Sequence, residues 1–419
     1  MLERYFRSFK TIDRYKALWL GPQIEDYVET LHERHTSHAT VQRHVRALAH
    51  FNDFVRALGV TRLEELPEHV DTFVEQWLAK HGGWCKKPQD IAAVVAQSRL
   101  PVERMLCAAL PGFTRPSHQP ALPFSMSAPG FFDFLANERG LRPSTLHSYV
   151  YTLRPFEAYL AQAGTTLAEL TPASITDFLK ERAKTLHKSG MVNSTCGLRA
   201  FLRYLYREGI LSTDLVRSVP RGRVYRQAKI PRAIGWEDVE RLLASIDQRS
   251  DVGKRDYAIL MLLASYGLRA REIAALSLDD FDWTHSQVSI PMRKGGHSTQ
   301  YPLSATVGEA VIEYLQVRRT DVAHREVFLT ARSPYAPMRH MTVSCMVSAR
   351  MQSAGIHVTR AGSHTLRHAC VQRLVEADVP FKTIGDYVGH RSPASTLIYG
   401  KVAVHKLREL VTADGESVL

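Results

Sequence analysis

The chain is 419 residues long, which exceeds one ordinary domain and predicts two or three. Its 54 lysines and arginines outnumber its 42 aspartates and glutamates, so the formal net charge is +12. Solubility alone explains such an excess in many proteins, although it also suits a nucleic-acid partner. The first ten residues lack the apolar core of a signal peptide, and no apolar run could cross a bilayer. We therefore expect a cytoplasmic protein rather than a secreted or membrane one.

The cysteine pattern argues against a disulfide framework. Cys85, Cys107, Cys196, Cys345 and Cys370 are scattered, and no two of them form a CxxC pair. Such spacing predicts reduced thiols in a reducing compartment. We expect most of these thiols to be buried.

The first part of the chain is similar to a later part of the same chain. At a shift of 105 positions, Thr40, Val45, Leu48, Phe51 and Gly59 match Thr145, Val150, Leu153, Phe156 and Gly164. Chance similarity between amphipathic helices is the competing interpretation. We interpret residues 1–115 as a helical domain that repeats the next one and that contacts either additional DNA or partner subunits.

A second helical domain is predicted at residues 126–216, after the proline-rich linker Pro111–Pro129. Its last helix, Met191–Glu208, places an apolar stripe on one face and arginines on another. The arginines are Arg199, Arg203 and Arg207. An ordinary surface helix explains this stripe as well as a phosphate contact does, but the basic segment that follows favours DNA.

That basic segment, residues 217–233, has six basic residues and no acidic one between Arg217 and Arg232. Four of its arginines are predicted to contact DNA, namely Arg217, Arg221, Arg223 and Arg226. A solvated connector explains the prolines of this segment, whereas a strap along a phosphate backbone better explains the unbroken positive charge.

The third domain is predicted at residues 234–419 and is mainly helical with a small sheet. Helical periodicity covers Trp236–Ile246, Arg255–Tyr266, Ser363–Val375 and Phe381–Val388. Short strands are predicted at Val288–Met292 and Thr299–Leu303, on either side of a turn that contains Lys294. The fold class is therefore mainly α with a small β-sheet.

Five residues of this third domain form an ordered set, namely Arg269, His364, Arg367, His390 and Tyr399. Cutting a phosphodiester through a covalent intermediate requires a nucleophile, a base, an acid and cations for the non-bridging oxygens. Tyrosine has an ordinary pKa near 10, so it attacks well only beside cationic groups or a base. The order and spacing of the set resemble those of the tyrosine recombinase (phage integrase) family.

The resemblance implies a role for each residue. Arg269 and Arg367 would clamp the phosphate, because a guanidinium offers paired donors and keeps its charge. His364 would be the acid/base partner of the nucleophile Tyr399, and His390 a donor to the phosphate. Lys294 would be the general acid for the leaving 5′ oxygen, although this chain has Arg293 where the family has glycine. Glu272, one helical turn after Arg269, could orient that arginine.

Single-residue alternatives remain open at several positions. Arg271 is the second candidate for the first arginine, Arg293 for the lysine, and Tyr387 for the nucleophile. His364 and His368 have the i,i+4 spacing of a zinc pair, but no glutamate follows His364 and no third ligand is evident. We therefore predict no metal and no cofactor.

The resemblance also implies an architecture and a reaction. It implies one or two helical core-binding (SAM-like) domains and a catalytic domain that form a C-shaped clamp on double-stranded DNA. Cutting and rejoining would proceed through a 3′-phosphotyrosyl intermediate and a four-way junction. The partners would be duplex DNA and a homo-tetramer on synapsed DNA, with hetero-assembly with related recombinases as the alternative. The segment after Tyr399 would dock on a neighbouring subunit, and a helix folded back on its own domain is the alternative.

The expected function is site-specific recombination for a bacterial mobile element, in the cytoplasm at the nucleoid. A type IB topoisomerase or a telomere resolvase would use nearly the same residues and is the enzymatic alternative. A DNA-binding accessory protein of a transposition system is the non-enzymatic alternative, and a missing catalytic residue would mark it.

Overall fold

The computed structural model describes residues 1–116, 121–221, 233–291, 298–389 and 396. By its contacts the chain divides into two compact units, residues 116–229 and residues 1–115 with 230–419. The described residues form three large hydrophobic cores that share no residue. Among these residues, no helix combines the length and the apolar character that a membrane span requires.

The first core belongs to residues 1–115, which form five helices. These are α1 (Phe9–Lys16), α2 (Gly21–Glu33), α3 (His38–Ala57), α4 (Val70–His81) and α5 (Pro88–Ala109). Ser37 begins α3 by accepting a hydrogen bond from the Thr40 amide, a common N-cap. This part of the chain is helical, as predicted, and its standing as a separate domain stays a prediction.

The second core belongs to residues 121–219. Its helices are α6 (Phe131–Asp133), which continues as a π turn to Glu138, α7 (Pro143–Ala163), α8 (Pro172–Thr185) and α9 (Lys188–Arg207). Helix α7 ends at Gly164, whose φ of 61° suits glycine. Helices α7 and α9 pack closely at Gly197, where an added Cβ would lie 2.7 Å from Thr152 Cγ2.

The two predicted linkers are shorter than the composition indicated. Phe124 is buried, its ring packs on Phe156 and Phe201, and its amide donates to Glu157 at 2.6 Å. The prediction that Pro111–Pro129 is a linker is therefore wrong for its last residues. At the other end, Val219 is buried in the same core. The proline-rich composition hid both contacts, because one buried side chain can tie an irregular segment to a core.

The third core belongs to residues 233–389 and mixes helices with a small sheet. The helices are α10 (Trp236–Ala244), α11 (Asp251–Tyr266), α12 (Ala270–Ala275), α13 (Ala305–Val317), α14 (His340–Ser353), α15 (Ser363–Glu376) and α16 (Phe381–Val388). The four helices predicted in this domain are present. Their ends differ by a few residues, and α11 begins at Asp251, capped by Ser250.

The sheet is antiparallel with the strand order β1 (Phe281–Asp282), β2 (Gln287–Ile290) and β3 (Thr299–Pro302). Val288 pairs with Tyr301 and Ile290 with Thr299, which confirms the predicted β2–β3 hairpin. The turn with Lys294 lies outside the described residues. Strand β1 was not predicted, since two residues carry too little periodicity.

The prediction of mostly buried thiols is wrong. All five cysteines are free, but Cys107, Cys196 and Cys345 are exposed, Cys85 is half-buried, and only Cys370 is buried. The three exposed thiols lie on helices α5, α9 and α14, at positions that face solvent.

Candidate active site

The turn between α11 and α12 places the first arginine. Gly267 ends α11 with a φ of 58°, a conformation that favours glycine, and Arg269 begins α12 as its N-cap. An added Cβ at Gly267 would lie 3.1 Å from Val388 and 3.2 Å from Cys370. The glycine therefore allows both the turn and the close approach of α15 and α16.

Glu272 orients Arg269 through two contacts. One carboxylate oxygen accepts from the Arg269 amide at 2.8 Å, and the other accepts from Arg269 Nη1 at 2.7 Å. Glu272 is buried, whereas the Arg269 side chain retains 21% of its exposure. The capping contact fixes the backbone and the ion pair fixes the guanidinium, so the predicted orienting role of Glu272 agrees with the geometry.

Helix α15 presents His364 and Arg367 one turn apart, as the sequence predicted. Arg367 is 4% exposed and donates from Nη1 to the Gly267 carbonyl and from Nη2 to the Val388 carbonyl at 2.6 Å. A guanidinium buried this deeply has to satisfy its donors within the protein. Arg367 therefore joins the end of α11 to the end of α16.

Arg269 reaches the same end of α16. Its Nη2 donates to the Gly389 carbonyl at 2.9 Å, next to the Val388 carbonyl that Arg367 contacts. Gly389 ends α16 with a φ of 68°. Two guanidinium groups separated by almost a hundred residues in sequence thus meet at one helix end, which directly precedes His390.

The electrostatics of this cluster keep His364 neutral. Its side chain remains open to solvent, yet partial burial lowers its pKa, and the positive charges of Arg367 and Arg269 lower it further. The pKa of His368, whose ring centre lies 6.5 Å away, falls to about 4, chiefly through burial. At neutral pH the exposed imidazole of His364 can accept a proton.

Comparison with known proteins identifies the family of the chain. The phage integrase family matches residues 233–406, and the SAM-like N-terminal domain of phage integrases matches residues 129–209. Tyrosine recombinase XerD of Mycobacterium tuberculosis is 30% identical over 299 residues, which cover 67% of this chain and 94% of that protein. The chain belongs to the tyrosine recombinase (phage integrase) family.

The recombinase also has a relative of similar length. An integrase/recombinase of Sinorhizobium fredii is 29% identical over 415 residues, 98% of this chain and 95% of the relative. The site-specific recombinase XerH, in a post-cleavage complex with a palindromic difH substrate, has a TM-score of 0.56 at 18% identity, over 68% of this chain and 84% of that one. A lambda integrase dimer bound to a COC′ core site has a TM-score of 0.54 at 16% identity, over 72% and 86%. These two structures share the fold, and the enzyme is a site-specific DNA recombinase, as predicted.

Two residues that competed for catalytic roles have other surroundings in the recombinase. Arg271 is exposed, whereas Arg269 contacts Glu272 and Gly389. The Tyr387 hydroxyl donates to the Ser265 carbonyl at 2.9 Å, and its own carbonyl accepts from Tyr301. Both of these tyrosine contacts fasten α16 to the body of the domain.

Several predicted residues fall outside the described part of the recombinase. These are Arg223, Arg226, Arg293, Lys294, His390 and Tyr399. Thr396 is described and is buried, and an added Cβ on Gly385 of α16 would lie 3.1 Å from its Oγ1. The chain therefore returns to α16 three residues before Tyr399.

The arginines predicted to contact DNA differ in their surroundings. Arg199 donates to the Val216 and Val219 carbonyls at 2.8 and 2.6 Å, so it holds the end of its own domain together. Arg207 pairs with Glu208 and Glu138 and stacks on Phe134. Arg203, Arg217 and Arg221 are exposed. A phosphate contact by the whole stripe stays a prediction, and it now rests mainly on Arg203.

Sequence reasoning missed the backbone part of the site. The carbonyls of Gly267, Val388 and Gly389 accept from the two arginines, and Ser265 accepts from Tyr387 and from the Cys370 thiol at 3.6 Å. Only the glycines gave a signal, because helix ends expose unsatisfied carbonyl groups.

Proposed function

We propose that this recombinase cuts and rejoins duplex DNA with Tyr399 as the nucleophile, through a 3′-phosphotyrosyl intermediate. The observation that carries the proposal is the convergence of Arg269 and Arg367 on one helix end beside a neutral His364. This arrangement places two cations and a base together, and in the sequence His390 directly follows Gly389, with Tyr399 nine residues later.

The arginines would bind the non-bridging oxygens of the scissile phosphate. A guanidinium has five N–H donors, and Arg269 gives one nitrogen to Glu272 and the other terminal nitrogen to Gly389. Its remaining N–H groups can donate to phosphate oxygens. Donors oriented in advance stabilise the extra charge of the transition state at no cost in reorganisation.

The proposed residues account for each proton that the reaction moves. The Tyr399 phenol must lose its proton as its oxygen bonds to phosphorus, and a neutral His364 is able to accept it. The bond from phosphorus to the 5′ oxygen then breaks, and that oxygen takes a proton from the proposed general acid, Lys294. His390 would donate to the phosphate throughout. Rejoining reverses these steps with another 5′ hydroxyl as the nucleophile.

We further propose the assembly that strand exchange requires. Two relatives of known structure are bound to DNA, and one of these is a dimer, as their names state. For this chain we propose duplex DNA as the partner, a tetramer on synapsed DNA, a four-way junction, and a mobile element as the source of the sites. The proposed domains are residues 1–115, 126–216 and 234–419, with residues 217–233 as a basic strap.

The test compares Tyr399→Phe with Tyr387→Phe on nicked suicide duplexes made from DNA that flanks the gene. Tyr399→Phe removes only the reacting hydroxyl, so SDS-resistant adducts should vanish while the gel-shift affinity is retained. Tyr387→Phe removes the contact with Ser265 and should still form adducts. Adducts from Tyr399→Phe, or their loss only in Tyr387→Phe, would refute the assignment of the nucleophile.

A further inference from the structure

The first two helical regions share ring contacts as well as a sequence pattern. Helices α2, α3, α4 and α5 of the first region correspond, in chain order, to α6, α7, α8 and α9 of the second. Phe51–Phe73 in the first region, with ring centres 5.1 Å apart, corresponds to Phe156–Phe178 in the second, at 4.8 Å. Phe54–Phe73 at 5.6 Å corresponds to Tyr159–Phe178 at 5.4 Å. Tyr27–His44 at 6.1 Å corresponds to Phe131–Tyr149 at 6.0 Å. The residue numbers of the first two pairs of contacts differ by 105, and in the third pair Tyr27 of α2 and Phe131 differ by 104. Chance similarity of amphipathic helices would not reproduce two ring contacts at one shift.

The same face of the corresponding helices α3 and α7 borders a groove in each region. Gln42 and Arg46 line the first groove, and their counterparts at the 105 shift, His147 and Tyr151, line the second. The two grooves share this one wall, whereas the opposite wall is formed by α1 and the residues before it in the first region and by α8 and α9 in the second.

The second groove contains donors that lack a partner. Arg182 Nε and Ser194 Oγ are buried and, within the described part of the chain, have no hydrogen-bond partner. Ser194 is 3% exposed. Unsatisfied buried donors are costly and mark a place that an acceptor-rich ligand such as a phosphate could occupy.

The first groove is positively charged. Its lining includes Arg7, Ser8, Thr11, His38, Gln42 and Arg46, over the buried ring of Tyr15, and no lining residue is acidic. Arg7 and Arg46 are exposed, and among the described residues neither forms an ion pair. Arg43 lies one turn before Arg46 on α3 and is exposed as well. The exposed acidic residues Asp26, Glu29 and Glu33 lie on α2, which contributes nothing to the groove.

We propose that residues 1–115 are a second duplex-binding domain, whose groove at Arg7 and Arg46 contacts DNA phosphates independently of base sequence. Arginine without an acidic partner suits phosphate, and Arg46 lies on α3 at the position where the corresponding helix α7 borders the second groove. The recombinase would thus bind two stretches of duplex with two copies of one fold. This binding does not depend on the cleavage chemistry proposed above.

A protein partner is the competing occupant, because Phe9 beside the groove is 79% exposed. A phosphate contact and a protein contact respond differently to salt. Each neutralised phosphate releases counterions and contributes about 0.9 to the slope of log K against log salt concentration. A subunit contact through Phe9 would change self-association instead.

The test measures the affinity of the full chain for a long duplex of arbitrary sequence over a range of salt. Arg7→Ala/Arg46→Ala should lower the slope by roughly 2 and weaken binding at low salt. Arg7→Lys/Arg46→Lys, which keeps both charges, should restore most of the slope. The matched control is Arg62→Ala/Lys86→Ala, which removes two exposed charges of the same region outside the groove and should leave the slope unchanged.

Unchanged slopes in the folded alanine variant would overturn the proposal. Equal slopes together with weaker self-association of Phe9→Ala would assign the surface to a protein partner, which also overturns it. The alanine variant should still form covalent adducts with cleavable DNA. Failure of the wild type to form adducts would refute the proposed chemistry alone, because the salt slopes are measured without cleavage.

Discussion

The catalytic domain and the first helical domain differ in the number of charged side chains that they bury. Among the described residues, the catalytic domain buries five charged side chains, Arg255, Asp256, Glu272, Arg318 and Arg367. The first helical domain buries one, Glu103, which pairs with Arg99 and Arg115. The other buried polar side chains of this domain are His44, Asn52 and Ser98, which carry no charge at neutral pH.

Burying a charged side chain costs desolvation free energy, so we expect each buried charge in the catalytic domain to have a partner. Arg255 and Arg350 pair with Asp256, and Arg318 donates to the carbonyls of Val327 and Glu326, which together hold the scaffold. Glu272 and Arg367 hold the active site. The catalytic domain therefore holds charged side chains in its interior, whereas the domain that is proposed only to bind DNA has nearly all of its charged side chains on the surface.

Replacing Arg367 should give the largest effect. Arg367→Ala leaves two buried carbonyls without donors, at about 1–3 kcal/mol each, and removes a phosphate ligand. Loss of one such oriented donor typically lowers the rate about 10²–10³-fold. Single-turnover adduct formation and urea unfolding measure the two effects, and Arg269→Ala should lower the rate with a smaller loss of stability.

Arg271→Ala is the control for both arginines, since it removes an exposed charge from the same helix as Glu272. It should cleave at nearly the wild-type rate. If Arg271→Ala lost cleavage while Arg269→Ala retained it, the first arginine of the site would be misassigned.

Deleting the first helical domain should give an intermediate effect. Because the three cores share no residue, removal of residues 1–115 should leave the other two domains folded. We expect the shortened protein to form adducts on cleavable duplexes but to bind long duplexes more weakly. Circular dichroism, gel shifts and adduct assays measure these properties, and aggregation would show that the domains depend on one another for folding.

The smallest expected effect is a pH dependence that differs between the two domains. Burial lowers the pKa of His44 in the first domain and of His368 in the catalytic domain to about 4. Between about pH 4 and 6.5 the folded chain therefore binds fewer protons than the unfolded chain. Stability is complete above that window and declines as the pH falls through it.

His44→Gln and His368→Gln should each flatten this decline in the domain that carries the change. Thermal unfolding at pH 7 and pH 5, monitored in each domain by hydrogen exchange, separates the contribution of His44 from that of His368. Equal flattening of both domains by His44→Gln would show that their cores are coupled.

Local features of the site could be predicted from the sequence, while contacts distant in the chain could not. The glycine that ends α11, the pairing of Arg269 with Glu272, and the shared helical turn of His364 and Arg367 all depend on neighbours within a few residues. The carbonyl partners of Arg367 lie 100 and 21 residues away. A backbone carbonyl has the same chemistry in every residue, so no side-chain pattern indicates it.

The helical repeat shows the same division. The 105 shift was visible because core positions constrain residue type, and the ring contacts agree with it. The sequence did not predict that Arg199 donates to backbone carbonyls of its own domain. An arginine on a helix face has the same sequence pattern whether it contacts solvent, a phosphate or a carbonyl group. Packing of Phe124 was hidden because the composition around it is typical of a linker.

The two glycines that end α11 and α16 have an electrical consequence. The C-terminal end of a helix carries a partial charge of about −0.5, and two such ends converge where the scissile phosphate is proposed to bind. Unshielded, this pair of helix dipoles would repel DNA. Arg367 donates to both ends and Arg269 to one, so the two guanidinium charges offset the partial charges of the helix ends and the charge of Glu272 before any DNA arrives. A neutral substitution both removes a donor and exposes a repulsive dipole, and cleavage should then fall further than the loss of one hydrogen bond would explain.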